Sequence, residues 1–275
     1  MATARSEELR ALAQRVADSF PPEVIEVVVT GSVSRGLADE LSDIEMLVVT
    51  EAPLSLDEAF ELAAAAGLEE RDSWGDPSTP TRRVHGYLDG QSIETIWWSR
   101  EFAEEHYDDP GSDQALLHGI ALRTCGLHER WREQLAVYPD ELAAERIEKA
   151  AERWGGFSPR GLLTIARPDT ALARAEWLVE SAQRVLAIVF ALNRERLPTA
   201  KRVATNTAGL PVKPERLAEQ IEAALAEPDP HEALRLMTEL QLETVRLAPS
   251  GRNVDRARTW LAEALEVLGS GPRLR

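Results

Sequence analysis

Asp43 and Glu45 flank Ile44 at the head of a short apolar run, Met46 to Val49. Successive strand side chains point to opposite faces, so two acids two residues apart project on one side. Like charges held that close repel unless a cation stands between them. A hard divalent ion, Mg²⁺, suits such a pair, because it binds through one or two carboxylates together with substrate phosphates. Ten residues separate this pair's Asp43 from Ser32 of a Gly31-Ser32 step, which itself follows a first apolar run, Val24 to Val29. Glycine lets backbone approach a ligand closely, and the N–H groups of a tight turn can cradle phosphate oxygens. The two halves together could hold a metal–phosphate complex. Arg35, three residues after Ser32, is spaced either to face such phosphates or to lie as a solvated loop arginine.

The flanking sequence says which elements must position these groups. Both apolar runs are short and rich in β-branched residues, which predicts strand, turn or short helix, strand. Residues 5–20 read as an amphipathic helix through Leu9, Leu12, Val16 and Phe20, capped by Ser6 and stopped by Pro21-Pro22. Ser55-Leu56-Asp57-Glu58 is a capping-box pattern that starts a second helix, with Gly67 to end it. Residues 69–81 are charged and turn-rich and read as a loop. Asp89-Gly90 lies between two β-like runs, 82–88 and 91–98, which is a strong hairpin signal. In its second arm Ile93, Thr95 and Trp97 face one way, and Ser92, Glu94 and Ile96 the other. Glu94 then stands as a lone acid among apolar and small neighbours. Residues 101–114 read as polar with a turn at Pro110-Gly111, and 115–125 fits either a strand or a short helix.

The string GSVSRG, its spacer and SDIEM resemble the signature of the polymerase-β-type nucleotidyltransferases, and most closely that of their kanamycin-nucleotidyltransferase branch, which has Glu as the second carboxylate. The resemblance is sharp over Gly31 to Met46 and extends only in layout over the rest. It implies that Asp43 and Glu45 ligate Mg²⁺, that Gly31, Ser32 and Arg35 hold the triphosphate, and that ATP is the donor. It implies a third carboxylate on a later strand, for which Glu94 is the candidate, as general base or as part of the metal shell. Kanamycin-type enzymes also place a base glutamate four residues before a phosphate lysine. Glu145 and Lys149 have that spacing but not the expected residue before Trp154, so two registers stay open. Lys149 is carried as a phosphate contact, and so is Lys201 in ALNRERLPTAKR, which resembles a helix-to-loop passage of the same enzymes. The implied reaction moves a nucleoside monophosphate onto a hydroxyl of a small molecule, for which an aminoglycoside is the family-level acceptor. A nucleotidyltransferase acting on a protein partner, as in antitoxin systems, and a non-catalytic nucleotide sensor are the alternatives.

Composition bounds these readings. The 275 residues are 44% hydrophobic, enough for real cores, and carry Lys+Arg 31 against Asp+Glu 47, a net charge of −16. That balance argues against a nucleic-acid partner, since phosphate backbones need positive surface, and suits a cationic acceptor or plain solubility. The single cysteine, Cys125, excludes an internal disulfide framework and is expected to pack as a small hydrophobe. No apolar run of about 18 residues is present, so no membrane partner and a cytoplasmic location are expected. A homodimer stays open. Arg123 and His128 match the loose R-x4-H pattern of HEPN ribonucleases, but Gly126 would break the helix that pattern needs. Residues 129–154 read as helical, with a break or restart at Tyr138-Pro139 and Asp140 as N-cap for Leu142 to Trp154; beyond Gly155 to Pro159 nearly everything reads as helix, with a long central helix from Leu172 to Asn193 and helices near 214–226, 230–247 and 253–268. Trp154, Trp177 and Trp260 read as core. The expected architecture is α+β: a nucleotidyltransferase-type mixed sheet with helices over residues 1–140, then a helical bundle over 141–275. The boundary falls between 125 and 160, with Gly155 to Pro159 the best break by composition. A ligand site is expected where the two halves meet.

Overall fold

In the computed structural model, which describes residues 2–74, 78–152, 154 and 158–270, the two apolar runs are neighbouring antiparallel strands. The chain divides into two compact units, Met1–Val137 and Tyr138–Arg275. The fold is α+β, with a mixed sheet in the first unit and helices in the second.

The first unit begins with α1 (Ala4–Ser19), followed by β1 (Val24–Val29), the four-residue α2 (Gly31–Ser34) and β2 (Ile44–Thr50). After α3 (Leu56–Ala65) come β3 (Glu69–Ser73), β4 (Arg82–Leu88) and β5 (Gln91–Ser99). Then α4 (Arg100–His106) and α5 (Ser112–Leu117) lead to β6 (Ile120–Arg123) and α6 (Leu127–Leu135). The sheet order is β3-β4-β5-β2-β1-β6, and β2 with β5 is its parallel pair. Because β1 and β2 are buried on both faces, their apolar residues run nearly without interruption. Val27, Val29, Ile44, Met46 and Val48 pack with α1 and α3 on one face. Val28, Leu47 and Val49 pack with Leu116, Leu127 and Trp131 of α5 and α6 on the other.

Glu26 interrupts the apolar run of β1 and is fully buried. Its Oε2 accepts from the N–H groups of Cys125 at 2.9 Å and Leu127 at 3.2 Å and from the Thr124 hydroxyl at 3.2 Å. The acid thus answers the free donors at the start of α6, where negative charge is favoured.

The second unit comprises α7 (Asp140–Ala151), α8 (Gly161–Ile165), α9 (Ala171–Leu192), α10 (Val203–Thr207), α11 (Leu217–Ala226), α12 (Pro230–Leu247) and α13 (Arg252–Ser270). α9 is its central helix: Leu178, Val185, Leu186, Val189 and Phe190 enter one core with Trp154 and Trp260, and Trp177 packs against it. Asn193 ends α9 and ties the chain to Val212, donating to its carbonyl and accepting from its N–H. Glu148 of α7 accepts from the Asn253 and Val254 N–H groups and so caps α13.

Several expectations need correcting. Thr3, not Ser6, caps α1; Ser6 is fully buried and accepts from the Ala38 N–H instead. Residues 69–73 are an edge strand, because Leu68 and the β4 ladder recruit a charged segment that local sequence assigns to a loop. Segment 101–114 carries α4 and α5, and 115–125 is helix then strand. Pro139, not Asp140, is the N-cap of α7, while Asp140 pairs with Arg194. Val179, read as part of the buried stripe, is 46% exposed, and Cys125 is exposed. The proposed break at Gly155 to Pro159 falls mostly outside the described residues. Arg123 is spent on the carbonyls of Phe20, Pro21 and Val24, and Gly126, at φ 93°, begins α6 rather than continuing a helix. The R-x4-H pattern therefore has no helix to stand on. The capping box at Ser55 is present with both of its reciprocal bonds.

His128 is buried, and its Nε2–H donates to the Leu116 carbonyl at 2.9 Å. Burial, the largest cause, pushes its imidazole below the ordinary range. The folded chain therefore takes up this proton less readily than the unfolded one. The contribution of neutral His128 is fully present above the unfolded value of about 6.5 and is lost as pH falls below it. Urea midpoints at pH 7.5 and 5.5 should show the wild-type chain losing more stability than His128→Gln; equal losses would contradict the assignment.

Candidate active site

Thr30 follows β1, and its N–H donates to the Glu45 carbonyl at 2.9 Å, so the β1–β2 pair stays closed up to the Gly31 turn. Gly31 has φ +65°, a left-handed backbone that glycine adopts without steric penalty. A Cβ built on it would lie 1.9 Å from Glu45 Oε2. The Glu45 carboxylate therefore rests directly against the Gly31 backbone, and glycine is required twice, for the turn and for the space. Ser32 is the second residue of the single turn of α2, whose leading N–H groups have no acceptor inside the helix. Arg35 caps that turn and its Nε donates to the Gly31 carbonyl at 3.1 Å, which holds the guanidinium beside the same bend.

Asp43 immediately precedes β2 and is partly buried; among the described residues none forms a hydrogen bond or ion pair with it. Glu45 pairs in parallel register with Glu94 of β5, and Glu94 in turn stands opposite His85 of β4. Strand spacing puts such cross-strand neighbours about 5 Å apart at Cβ. Glu45, Glu94 and His85 thus form one row across three strands. They share the face on which Leu47, Val49, Ile96 and Trp98 pack with α4, α5 and α6.

Glu94 is not the lone acid that the sequence suggests. Arg83 Nη1 lies 3.6 Å from its Oε1, and the Arg83 guanidinium stacks 4.1 Å from the ring centre of Trp74, which is 51% exposed. His85 Nε2 is 2.9 Å from the Ser92 hydroxyl, and its ring meets Tyr87 edge-on at 5.0 Å. Arg83, His85 and Trp74 are the neighbours that sequence reasoning missed. The signal for two of them was available: a two-residue turn at Asp89-Gly90 sets Leu88 opposite Gln91, and hence His85 opposite Glu94 and Arg83 opposite Ile96.

The other sequence candidates lie in the second unit. Lys149 is exposed on α7, and Lys201 is exposed in the turn before α10, where its carbonyl accepts from Asn206. The Cys125 thiol is pushed up, first by partial burial and then by its hydrogen bond to Glu26, so it is a poor nucleophile.

A hard cation fits this donor set. Asp43 and Glu45 offer carboxylate oxygens, and the glycine bend brings backbone directly against Glu45. Among the described residues no group of three or more His, Cys, Asp or Glu could hold an ion by itself. The pair therefore suits an ion that completes its shell from phosphate oxygens and water, which is how Mg²⁺ is usually bound.

Residues 9–77, from α1 past β3, match the family described as nucleotidyltransferase domain. The segment contains Gly31, Ser32, Arg35, Asp43 and Glu45. A solved nucleotidyltransferase-like protein from Exiguobacterium sibiricum 255-15 is similar over 97% of this chain and 75% of its own, at 13% identity and a TM-score of 0.36. No curated protein matches the chain. The match lies within the N-terminal unit and supports a transferase of nucleotidyl groups. Among the described residues no helix is long and apolar enough to cross a membrane.

Gly31→Ala should cost about 1–2 kcal/mol for the left-handed backbone alone, plus the displacement of Glu45. In a Glu45→Ala background only the backbone part should remain. Urea unfolding of the two single variants and the double variant measures this; a coupling of zero would show that Glu45 does not rest on Gly31.

Proposed function

We propose that the chain transfers a nucleoside monophosphate, AMP from ATP, to a hydroxyl group of a small molecule, with Mg²⁺ held by Asp43 and Glu45. The observation that carries this reading is the Glu45 carboxylate lying against the Gly31 turn, in register with Glu94 on the next strand. When bound, Mg²⁺ supplies neutralisation of the charge that develops on the leaving pyrophosphate.

The residues divide the remaining work. Backbone N–H groups at Gly31 and Ser32, with the Arg35 guanidinium beside them, orient the phosphates. Glu94 accepts the proton of the acceptor hydroxyl, which is a poor nucleophile until it is deprotonated. The oxygen then attacks the α-phosphorus in line, the bond to the bridging oxygen breaks, and pyrophosphate departs. Arg83 holds Glu94 in place before the acceptor arrives. The net charge of −16 favours a cationic acceptor, which makes an aminoglycoside the first compound to try.

Asp43→Asn should leave the fold intact, since removing one of two crowded acids relieves repulsion. Transfer of label from α-labelled ATP should fall about a thousandfold, the loss of several kcal/mol of metal-based stabilisation. Retention of full Mg²⁺-dependent transfer would remove Asp43 from the metal site. Label that appears on a protein partner rather than on a panel of small acceptors would replace the small-molecule reading.

A further inference from the structure

Asp43 sits at the end of the segment between α2 and β2, and its position depends on what holds that segment. The near end is fastened to α1. Thr3 Oγ1 donates to the Ala38 carbonyl at 2.8 Å, Ser6 Oγ accepts from the Ala38 N–H at 2.9 Å, and the Thr3 N–H donates to the Gly36 carbonyl at 3.2 Å. The tip closes on itself. Ser42 Oγ accepts from the Asp39 N–H at 2.9 Å, and Asp39 Oδ1 accepts from the Leu41 N–H at 3.1 Å and from the Ser42 hydroxyl at 2.9 Å.

The far end, next to Asp43, is fastened differently. Gln91 Nε2 donates to the Ser42 carbonyl at 3.0 Å, and Gln91 Oε1 accepts from Arg5 Nη2 at 2.5 Å. Arg5 is itself held by Glu8 at 2.8 Å. Among the described residues, Gln91 is the one side chain from outside the segment that bonds Ser42. It is also the first residue of β5, three before Glu94. A single amide thus joins the peptide preceding Asp43 to the strand that carries the third acid, and both to α1. The amide does this by giving a proton to one partner from its nitrogen and accepting one from the other at its oxygen. Glutamate at this position could still accept from Arg5 but would set a carboxylate against the Ser42 carbonyl. Leucine could do neither.

We infer that Gln91 is the positioning residue for Asp43: it fixes the carboxylate's place relative to Glu45 and Glu94, and so sets the affinity of the site for a metal–nucleotide complex. Its role for the ligand rests on the functional reading above. Both ends of the Gln91 amide are taken, by Arg5 and by Ser42, so its loss should weaken metal–nucleotide binding without abolishing it. Losing one such partly buried bond should weaken binding about tenfold.

Two measurements on the full chain test this. The first is calorimetric titration with the Mg²⁺ complex of α,β-methylene-ATP, for wild type, Gln91→Leu, Gln91→Glu and Asp43→Asn. The second is hydrogen exchange of residues 38–43 without ligand. Both Gln91 variants should still unfold cooperatively, at a somewhat lower urea midpoint, and bind about tenfold more weakly than wild type, and the amides of 38–43 should exchange faster while those of β1 do not. Should Gln91→Leu fail to fold, Gln91→Glu carries the comparison, since it keeps the Arg5 contact. Wild-type binding and wild-type exchange in a folded Gln91 variant would overturn the proposal. A wild-type chain that binds no metal–nucleotide overturns the functional reading, and the exchange comparison still decides whether Gln91 fastens the segment.

Discussion

Repulsion between carboxylates is the constraint that the N-terminal unit is built to withstand. Asp43, Glu45 and Glu94 would separate if the chain were free. They are brought to one end of a sheet because the strands behind them are buried on both faces, and the apolar contacts of Ile44, Met46, Val48, Ile93 and Trp97 outweigh the local electrostatic cost. The charge is then managed unevenly. Glu94 has Arg83 beside it, whereas Asp43 has no cationic partner among the described residues. That imbalance leaves the Asp43 carboxylate, at the mouth of β2, as the acid an incoming cation would meet.

Much of this was legible because the decisive signals are local. Gly31 announces a backbone that other residues avoid, and alternation of side chains along β2 and β5 sorts the acids from the core without any tertiary information. The capping box at Ser55 and the Asp89-Gly90 hairpin are likewise complete within a few residues. What escaped depended on partners distant in sequence. Residues 69–73 are charged and turn-rich by composition and become a strand only because β4 offers a ladder. Ser6 has the right chemistry for a cap, but Ala38, far along the chain, claims its hydroxyl while Thr3 does the capping. The imidazole beside Glu94, and the place of Arg83 two residues along the same strand, follow from the hairpin register set by Asp89-Gly90.

Glu26 and Glu148 show the same principle away from the site. Each is an acid whose surroundings look wrong for it by pattern alone, one inside an apolar strand and one on a packed helix face. Each is explained by donors at the start of a helix, α6 for Glu26 and α13 for Glu148. An acid's neighbours in sequence are therefore a poor guide to whether its charge is idle, structural or available, and the difference among Glu26, Glu94 and Asp43 lies in who answers each charge.

The parallel pairing of β2 with β5 has a temporal side. Every other neighbour of β2 and β5 in this sheet can be reached by a hairpin or a short return, but these two are joined across α3, β3 and β4. Contacts between residues so far apart form late, because loop closure costs entropy before it is repaid. On the ribosome, Asp43 and Glu45 must wait for about fifty further residues before Glu94 can lie beside them. Until then the nascent chain has two of its three acids and the whole of its glycine bend, and the third acid arrives only when the last central strand slides into place.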